Sequence, residues 1–403
     1  MQVDHLSLEN FRNYARLELA IPKQTVILTG ENAQGKTSLL EALYFLATAR
    51  SPYTTLDRQL VHWRTENDPI PFARVAADVQ TASMPIGRVE ITVVLEGNGA
   101  SVRSRKVVRI NGVEKRVLDL VGLLAVVLFL PQDLRLIEGG PADRRRYLDD
   151  TLSQVDAAYQ EALSNYERVL TQRNALLRNI AAGRSSAKEL GFWDEQLAAA
   201  GAVLVGGRQR FLREMEYNAQ RVHLDLTNRA ETLTLHYQPS FAPTASPNGQ
   251  MSLPVFGLDL HRQLSVELIA EQFMAHLSRE RNESIQRGVT LAGPHRDDLR
   301  MHINGRDVSL YGSRGQSRTT VLGLKLAELQ WMTEKIGERP LLLLDEVVAE
   351  LDTHRREYLL AQFQSGVQTL LTTTEPDLLP TAFLAQSVQW QITAGQITPV
   401  TQP

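Results

Sequence analysis

The feature that most constrains this sequence is a separation between two short stretches. Gly30-Glu31-Asn32-Ala33-Gln34-Gly35-Lys36-Thr37 fits the pattern G-x-x-x-x-G-K-[ST], a loop whose backbone N–H groups wrap phosphates. In that pattern Lys36 meets the β- and γ-phosphates, and the Thr37 hydroxyl meets Mg²⁺. The context agrees, because the β-branched run Thr25–Thr29 leads in and a helix predicted from Lys36 to about Ala49 leads out. The complementary acids lie 309 positions after Lys36, where the apolar run Leu341–Leu344 ends in Asp345 and Glu346. Asp345 stands where such sites hold Mg²⁺, usually through water, and Glu346 where they keep a base for an attacking water. A compact nucleotide-binding unit needs only about 150 residues. The two ends of the chain must therefore fold together around an inserted segment.

Composition limits what that segment and its surroundings can be. A length of 403 residues allows two or three domains, and 43% apolar with 22% charged residues is the balance of a folded chain rather than a disordered one. The formal charge of −3 excludes a nucleic-acid binder held by global basicity, while leaving room for local basic patches. The longest uncharged apolar run, Leu120–Pro131, is shorter than the ~20 residues that span a bilayer, so no membrane segment is predicted. The first ten residues carry charges where an export signal needs an apolar stretch, so a cytoplasmic protein is expected. Cysteine is absent, which removes disulfides, thiolate zinc sites and cysteine nucleophiles. The nine histidines show no metal-ligand spacing, which leaves Mg²⁺ with ATP as the metal to expect.

Periodicity divides the chain into three parts. Residues 1–130 read as strands and turns around the one helix, with Asn111-Gly112 marking a hairpin between β-rich runs. Residues 131–288 read as an inserted helical arm, because Ala142 to about Leu235 lacks proline and spaces Leu152, Val155, Tyr159, Leu163, Tyr166 and Leu170 helically. Two or more helices of about 30 residues, each near 45 Å, are predicted there. The arm is interrupted at Ala182–Ser186, carries isolated glycines at 191, 201, 206 and 207, and contains a Pro-, Ser- and Asn-rich loop over about 239–256. A helix follows over Leu264–Glu283. Residues 289–403 return to strands (Leu299–Ile303, Val308–Leu310, Leu341–Leu344, Thr369–Leu371) and a helix over Ser317–Ile336.

Further short stretches then carry a resemblance. Leu8-Glu9-Asn10-Phe11-Arg12-Asn13-Tyr14, the phosphate loop, Phe129–Leu134, Gly140–Asp149, Gly293–Leu299, Ser313-Arg314-Gly315-Gln316, Asp345-Glu346 and Ala349–Asp352 occur in this order. Together they resemble the ABC-type ATPase heads of the SMC group, and within it the RecF family of bacterial recombination-repair proteins. The resemblance implies an α/β head assembled from N- and C-terminal segments, with a mainly helical second domain inserted. It implies that Arg12, Asn13 and the loop from Gly30 to Ser38 hold ATP, and that Ser313, Gly315 and Gln316 reach the γ-phosphate held by a second copy. Asp352 then lies at that interface. Gln132 falls in the segment equivalent to the Q-loop; relatives often carry Glu there, which leaves its part in binding Mg²⁺ open. Transporter relatives place a switch His where this chain has Thr372-Thr373-Thr374, whose hydroxyls can hydrogen-bond a γ-phosphate but not act as an imidazole.

By the same resemblance, an ATP-dependent homodimer clamps DNA at gaps, junctions of single and double strand, or duplex. It then works with RecR and RecO to help load RecA, with replication restart and the SOS response downstream. Arg144, Arg145 and Arg146, and the strand residues Arg103, Arg105 and Arg109, are either DNA-phosphate contacts or solvated faces. His295-Arg296-Asp297 looks like a kinase triplet without the rest of a kinase, and reads better as a strand cap or hinge. Two other functions share the motifs. One is an ATP-gated scaffold without turnover, which intact Lys36, Asp345 and Glu346 disfavour. The other is an ABC ATPase subunit of different function, which the long insertion disfavours.

Overall fold

The computed structural model describes residues 1–65, 68–82, 87–97, 103–241, 264–363 and 366–400. The chain forms two units, residues 1–133 with 328–403 and residues 134–327. In the first unit, strands β1 (Gln2–Phe11) and β2 (Tyr14–Ala20) form a hairpin across Arg12-Asn13, with Arg12 at φ 53°. Strand β3 (Val26–Thr29) is the buried β-branched run, and the helix Lys36–Thr48 follows the phosphate loop as its pattern predicts. Strands β4 (Phe72–Gln80), β5 (Gly87–Glu96), β6 (Arg103–Ile110) and β7 (Val113–Lys115) then extend the hairpin into a six-stranded antiparallel sheet ordered β2-β1-β4-β5-β6-β7. Asn111 and Gly112 turn β6 into β7 with φ of 52° and 80°, the primed geometry that suits a twisted hairpin. Strand β8 (Val126–Phe129) closes this stretch, buried along its whole length.

The second unit is helical with one small sheet. Helices span Pro141–Leu152, Ala157–Ala181 and Leu190–Leu226; the last, at 37 residues, is about 55 Å long. Its glycines have a packing reason. A Cβ on Gly201 would lie 2.7 Å from the Phe273 ring, and one on Gly207 2.7 Å from the Tyr159 ring. The helical pattern expected to reach Leu235 instead stops at Leu226, because Asn228 and Arg229 take positive φ and turn the chain. Strand β9 (Leu233–Gln238) follows, its burial alternating residue by residue, and pairs with β10 (Asp298–Ile303), which pairs with β11 (Arg306–Asp307). The expected helix Leu264–Glu283 is two, Val266–Arg279 and Arg281–Arg287, broken at Glu280. The expected strand Val308–Leu310 is a helical turn, Val308–Tyr311, because the Asp307 side chain accepts the Ser309 N–H at 2.8 Å and caps it. The loop expected over 239–256 lies, from residue 242 on, outside the described residues.

The expected boundary at 288 also shifts. Because β10 is bonded to β9, it belongs with the second unit, and so does the turn Ser313–Gln316; the division falls at 327–328, inside the helix Arg314–Ile336.

Back in the first unit come β12 (Leu341–Asp345), β13 (Thr369–Thr373), β14 (Val388–Thr393) and β15 (Gln396–Pro399). They assemble with β3 and β8 in the order β15-β14-β3-β13-β12-β8, parallel throughout except for β15. The helix Lys36–Thr48 packs against strands of both sheets, and Leu39, Leu40, Leu43, Phe45 and Leu46 join a core continuous with both. A helix apolar on nearly every side is stable only in such a place.

The second unit also buries charge. Arg173 and Asp194 are fully buried and 2.7 Å apart, Arg208 meets Asp149 at 2.7 Å, and Arg144 grips Asp298 at 2.6 and 3.0 Å. Arg144→Ala leaves Asp298 without its closest buried partner and is expected to destabilise the unit by about 3–5 kcal/mol, read as a lowered urea midpoint. His295, whose Nδ1 lies 2.7 Å from the Tyr166 hydroxyl, has its pKa lowered to about 4 from 6.5, chiefly by burial. The unfolded chain therefore takes up this proton first. Stability is lost as pH falls from about 6.5 to about 4 and the loss levels off below, where both states are charged. Urea melts of His295→Gln across that window are expected to show a shallower acid dependence, by about 3 kcal/mol.

Candidate functional site

The conformation of the phosphate loop depends on its glycines and on close neighbours. Gly30, Ala33 and Gly35 sit at φ of 142°, 64° and 118°. A Cβ on Gly30 would come within 2.4 Å of the Ile392 carbonyl oxygen, and one on Gly35 within 2.7 Å of Asn13 Nδ2 and 2.8 Å of the Tyr14 hydroxyl. Loop carbonyls are taken up by the neighbours. Asn13 Nδ2 donates to Gln34 O at 3.2 Å, the Gly395 N–H donates to the same oxygen at 3.0 Å, and the Tyr14 hydroxyl donates to Gly35 O at 3.0 Å. Burial raises the Tyr14 pKa, which keeps this hydroxyl a donor. The β1–β2 turn and the β14–β15 turn thus clamp the loop from the first and last parts of the chain.

The sheet register brings the acids to it. β13 lies between β3 and β12, with Thr373 opposite Thr29 and Thr372 opposite Asp345, so the three strands end side by side. Thr37 Oγ1 is 2.9 Å from Asp345 Oδ2, a bond between residues 308 apart in sequence. Asp345 is buried and also accepts from Tyr53 at 2.9 Å and Thr372 at 2.8 Å. Desolvation first, and then Asp345, raises the Tyr53 pKa, so its proton stays on. Glu346 follows at φ 54°, a left-handed conformation that costs a residue with a Cβ. There its carboxylate meets Lys36 Nζ at 3.1 Å and accepts the Thr374 N–H at 3.0 Å. Lys36 donates further to Gly30 O at 2.6 Å and Glu31 O at 3.2 Å.

These residues fit a Mg²⁺–nucleotide. Lys36 has polar partners that phosphate oxygens can replace, and the Thr37 hydroxyl faces a carboxylate. Among the described residues no group of three or more His, Cys, Asp or Glu could hold a metal, so Mg²⁺ here depends on phosphate and water for its remaining ligands. Arg12, Asn13, Lys36, Thr37, Glu346 and Trp63 are among the residues that line one pocket of about 420 Å³. Arg12 is more committed than the sequence suggests. It donates to both Glu41 oxygens at 2.7 and 2.6 Å and to Gln59 O at 2.9 Å, so it braces the pocket wall. Glu41, Tyr53 and Thr372 are the residues the sequence did not single out as site residues. No motif marks Tyr53 or Glu41, whereas Thr372 sits in the threonine run where relatives carry a switch residue.

The other expected residues have plain local settings. Ser313 and Gln316 cap a helix reciprocally, Ser313 Oγ accepting the Gln316 N–H at 3.2 Å and Gln316 Oε1 accepting the Ser313 N–H at 2.8 Å. Ser313 and Gly315 are exposed, as is Asp352, whose carboxylate accepts the Arg355 N–H at 3.0 Å; that bond, then the Arg355 charge, lowers its pKa. Gln132 lies half-buried in the turn after β8. The arginines divide. Arg144 is corrected from a DNA contact to a buried ion pair, since only 1% of it is exposed. Arg145 donates to Asp297 O at 2.7 Å and Arg146 meets Asp150 at 3.4 Å, both partly exposed. Arg103, Arg105 and Arg109 are exposed on β6, with Glu96 2.9 Å from Arg105 and Glu90 3.1 Å from Arg109.

Comparison with known proteins places the chain in a family. Residues 2–395 match the family described as the RecF/RecN/SMC N terminal domain. The chain is 41% identical to the DNA replication and repair protein RecF of Herpetosiphon aurantiacus, over 99% of this chain and 100% of that one. Identity to the same-named protein of Bacillus subtilis is 36%, over 98% and 100%. A solved structure of the recombination mediator protein RecF with ATP, described as part of the RecFOR pathway, superposes with a TM-score of 0.83 at 28% identity, covering 99% of this chain and 97% of that one. An SMC head bound to the C-winged helix domain of ScpA, at 14% identity and a TM-score of 0.52 over 100% and 98% of the two chains, shares the fold.

The cradle itself makes an expectation. In Gly35→Ala the new methyl collides with Asn13 and Tyr14 at a φ that alanine resists, so nucleotide affinity should fall at least tenfold by calorimetry. Thr37→Ala, which changes no backbone, should keep the loop and lose mainly the Mg²⁺ dependence of binding.

Proposed function

The chain belongs to the RecF/RecN/SMC N terminal domain family, and on that premise we propose that it is an ATP-dependent DNA-binding protein of replication and recombinational repair. The observation that carries this reading is the joining of Thr37 to Asp345 and of Lys36 to Glu346, 2.9 and 3.1 Å apart, from opposite ends of the chain. When bound, Mg²⁺ offsets phosphate charge and orients the γ-phosphate for attack. Lys36 leaves Glu346 and the loop carbonyls to meet phosphate oxygens. Glu346, released from the ammonium and still held by the Thr374 N–H, takes the proton of the attacking water. Tyr53 and Thr372 keep the Asp345 carboxylate in place, and Thr37 and Asp345 are the residues that would hold Mg²⁺. The chemistry these roles support is ATP hydrolysis; that it is slow and stimulated by DNA is proposed from the family resemblance.

The exposure of Ser313 and Gly315 at a helix start supports a dimer in which each copy offers this turn to the γ-phosphate held by the other; Asp352, also exposed, is proposed as a further interface residue. Such a dimer closes on DNA and opens after hydrolysis. Exposed Arg103, Arg105 and Arg109 are proposed phosphate contacts, the glutamate partners of Arg105 and Arg109 giving way to DNA. The mention of the RecFOR pathway for the solved RecF structure supports partnership with RecO and RecR; help in loading RecA and a cytoplasmic place of action are proposed from the family resemblance. Among the described residues no helix is long and apolar enough to cross a membrane.

Glu346→Gln keeps the side chain's size but removes the base. Phosphate release should fall about 10²–10⁴-fold while ATP still binds. Sedimentation with saturating ATP should then show a long-lived dimer, and a monomer there would refute the paired arrangement. Lys36→Met should lose ATP binding and, with it, ATP-dependent DNA binding; a folded variant with unchanged nucleotide affinity would refute the phosphate-loop assignment.

A further inference from the structure

Gln316 is held more firmly than a helix cap requires. Its Oε1 accepts the Ser313 N–H and its own backbone N–H goes to Ser313 Oγ, which completes the reciprocal cap. The other end of the same amide makes a further bond, Nε2 donating to Glu231 Oε1 at 2.8 Å across 85 positions of sequence. A carboxylate only accepts, whereas an amide accepts at one end and donates at the other. Between them, the Ser313 N–H and Glu231 fix which end of the Gln316 amide points where. Glu231 in turn stands on a firm mount. Its Oε2 accepts from His223 Nε2 at 3.2 Å, and His223 is fully buried in the last turn of the helix Leu190–Leu226. The chain between the two folds back sharply, with Asn228 and Arg229 at positive φ and the Arg229 N–H donating to Leu224 O at 2.7 Å. On the far side, Thr232 and Asn304 exchange bonds of 2.9 and 3.0 Å at the β10–β11 turn. The His223 ring also reaches the helix Arg314–Ile336 two turns beyond Gln316, its Nδ1 3.8 Å from where a Cβ on Gly323 would stand.

A carboxylate here runs against the electrostatics of the place. The positive end of a helix and an exposed serine hydroxyl suit an anion, yet Glu231 brings a negative charge to the same turn. Repulsion of phosphate follows unless the acid gives something in return, and orientation of Gln316 is what its geometry gives. We propose that Glu231 is a positioning residue for the ATP-bridged dimer, turning the Gln316 amide so that a donor rather than an acceptor meets the γ-phosphate held by the other copy. This rests on the paired arrangement proposed above and names the residue that sets the donor geometry within it. With Oε1 on the Ser313 N–H and one Nε2 proton on Glu231, the amide keeps its second Nε2 proton for a ligand. Ser313 Oγ accepts the Gln316 N–H, so the hydroxyl proton is likewise left to be given. Without Glu231 a single bond orients the amide, and the side chain is free to swing its oxygen toward the phosphate.

The test reads dimerisation of the full chain by sedimentation with Mg²⁺ and saturating ATP, and nucleotide affinity by calorimetry below the dimerising concentration. Glu231→Ala should raise the protein concentration at half-dimerisation about tenfold, as for the loss of one charge-assisted hydrogen bond. Nucleotide affinity should not change, because the phosphate loop is untouched. Glu231→Gln keeps an acceptor for Gln316 without the charge and should stay within about twofold of the parent. In a Gln316→Ala background, Glu231→Ala should have no further effect, which a purely structural acid would not show. If Glu231→Ala does not fold, Glu231→Asp, which keeps the charge but shortens the reach, replaces it with the same expectation. Unchanged dimerisation in Glu231→Ala overturns the proposal. Tighter dimerisation in both Glu231→Ala and Glu231→Gln also overturns it, leaving plain repulsion of phosphate. Equal weakening in the Gln316→Ala background overturns it in favour of a structural role. A parent that stays monomeric with ATP, or a Gln316→Ala variant that dimerises as tightly as the parent, refutes the paired arrangement itself, and the proposal falls with it.

Discussion

The hydrogen bond between the Thr37 hydroxyl and the Asp345 carboxylate joins two residues that are useful only together. Nothing local holds them, since 308 positions lie between. Parallel pairing does. β13 pairs with β3 on one side and β12 on the other, and a register fixed by burial on both faces leaves no freedom to slip by one residue. A slip would exchange Asp345 with a leucine and put a charge into the core. The same pairing sets Thr372 against Asp345, so the middle strand both spaces the site and supplies a hydroxyl to it. The head therefore cannot exist as an N-terminal fragment: the strand between its two site-bearing strands comes from the last tenth of the chain.

A second dependence runs through the β1–β2 turn. Asn13 and Tyr14 hold the phosphate loop, and Arg12 holds both the helix behind it, through Glu41, and the rim segment in front, through Gln59. One turn of three residues thus connects the antiparallel sheet, the phosphate loop and the pocket wall. Its cost is visible in the positive φ of Asn10 and Arg12, which is tolerated because neighbouring hydrogen bonds fix the turn. The positive φ of Glu346 belongs to the same class. Its carboxylate is held between the Lys36 ammonium and the Thr374 N–H.

The second unit is held differently. Its helices pack closely where Gly201 and Gly207 admit aromatic rings, and its interior contains ion pairs rather than apolar contacts alone. Buried pairs of this kind add little net stability over apolar residues, but losing one partner is costly, so they tie specific helices to specific places. The stretch Gly293–Asp298 is where they meet. Pro294 O accepts from Arg208, the Asp297 carboxylate accepts from Ser240 N–H and the Tyr237 hydroxyl, and Asp298 accepts from Arg144. The triplet His295-Arg296-Asp297, read from sequence as a strand cap or hinge rather than a kinase element, lies at a junction between the small sheet and the helices, with Asp297 buried, His295 half-buried and Arg296 exposed.

Sequence alone determined the chemistry and the outline. A phosphate loop is legible because its glycines are required by backbone geometry and its lysine and threonine by phosphate and metal. An apolar strand ending in two acids is legible because burial and charge change sharply at its end. Their distance forced an insertion, and helical spacing gave the insertion its character. Tertiary structure decided what spacing cannot express. Arg144 reads as surface charge until Asp298, far along the chain, is found to neutralise it in the core. The helical pattern expected to run to about Leu235 gives way to the strand Leu233–Gln238, whose alternation of Leu233, Leu235 and Tyr237 with polar residues acquires its meaning from pairing with β10. Tyr53, Glu41 and Trp63 belong to no motif; each acquires its place only when β1 and the parallel sheet bring distant residues beside it. Local patterns record what a residue needs from its neighbours in sequence, and these residues are defined by neighbours in space.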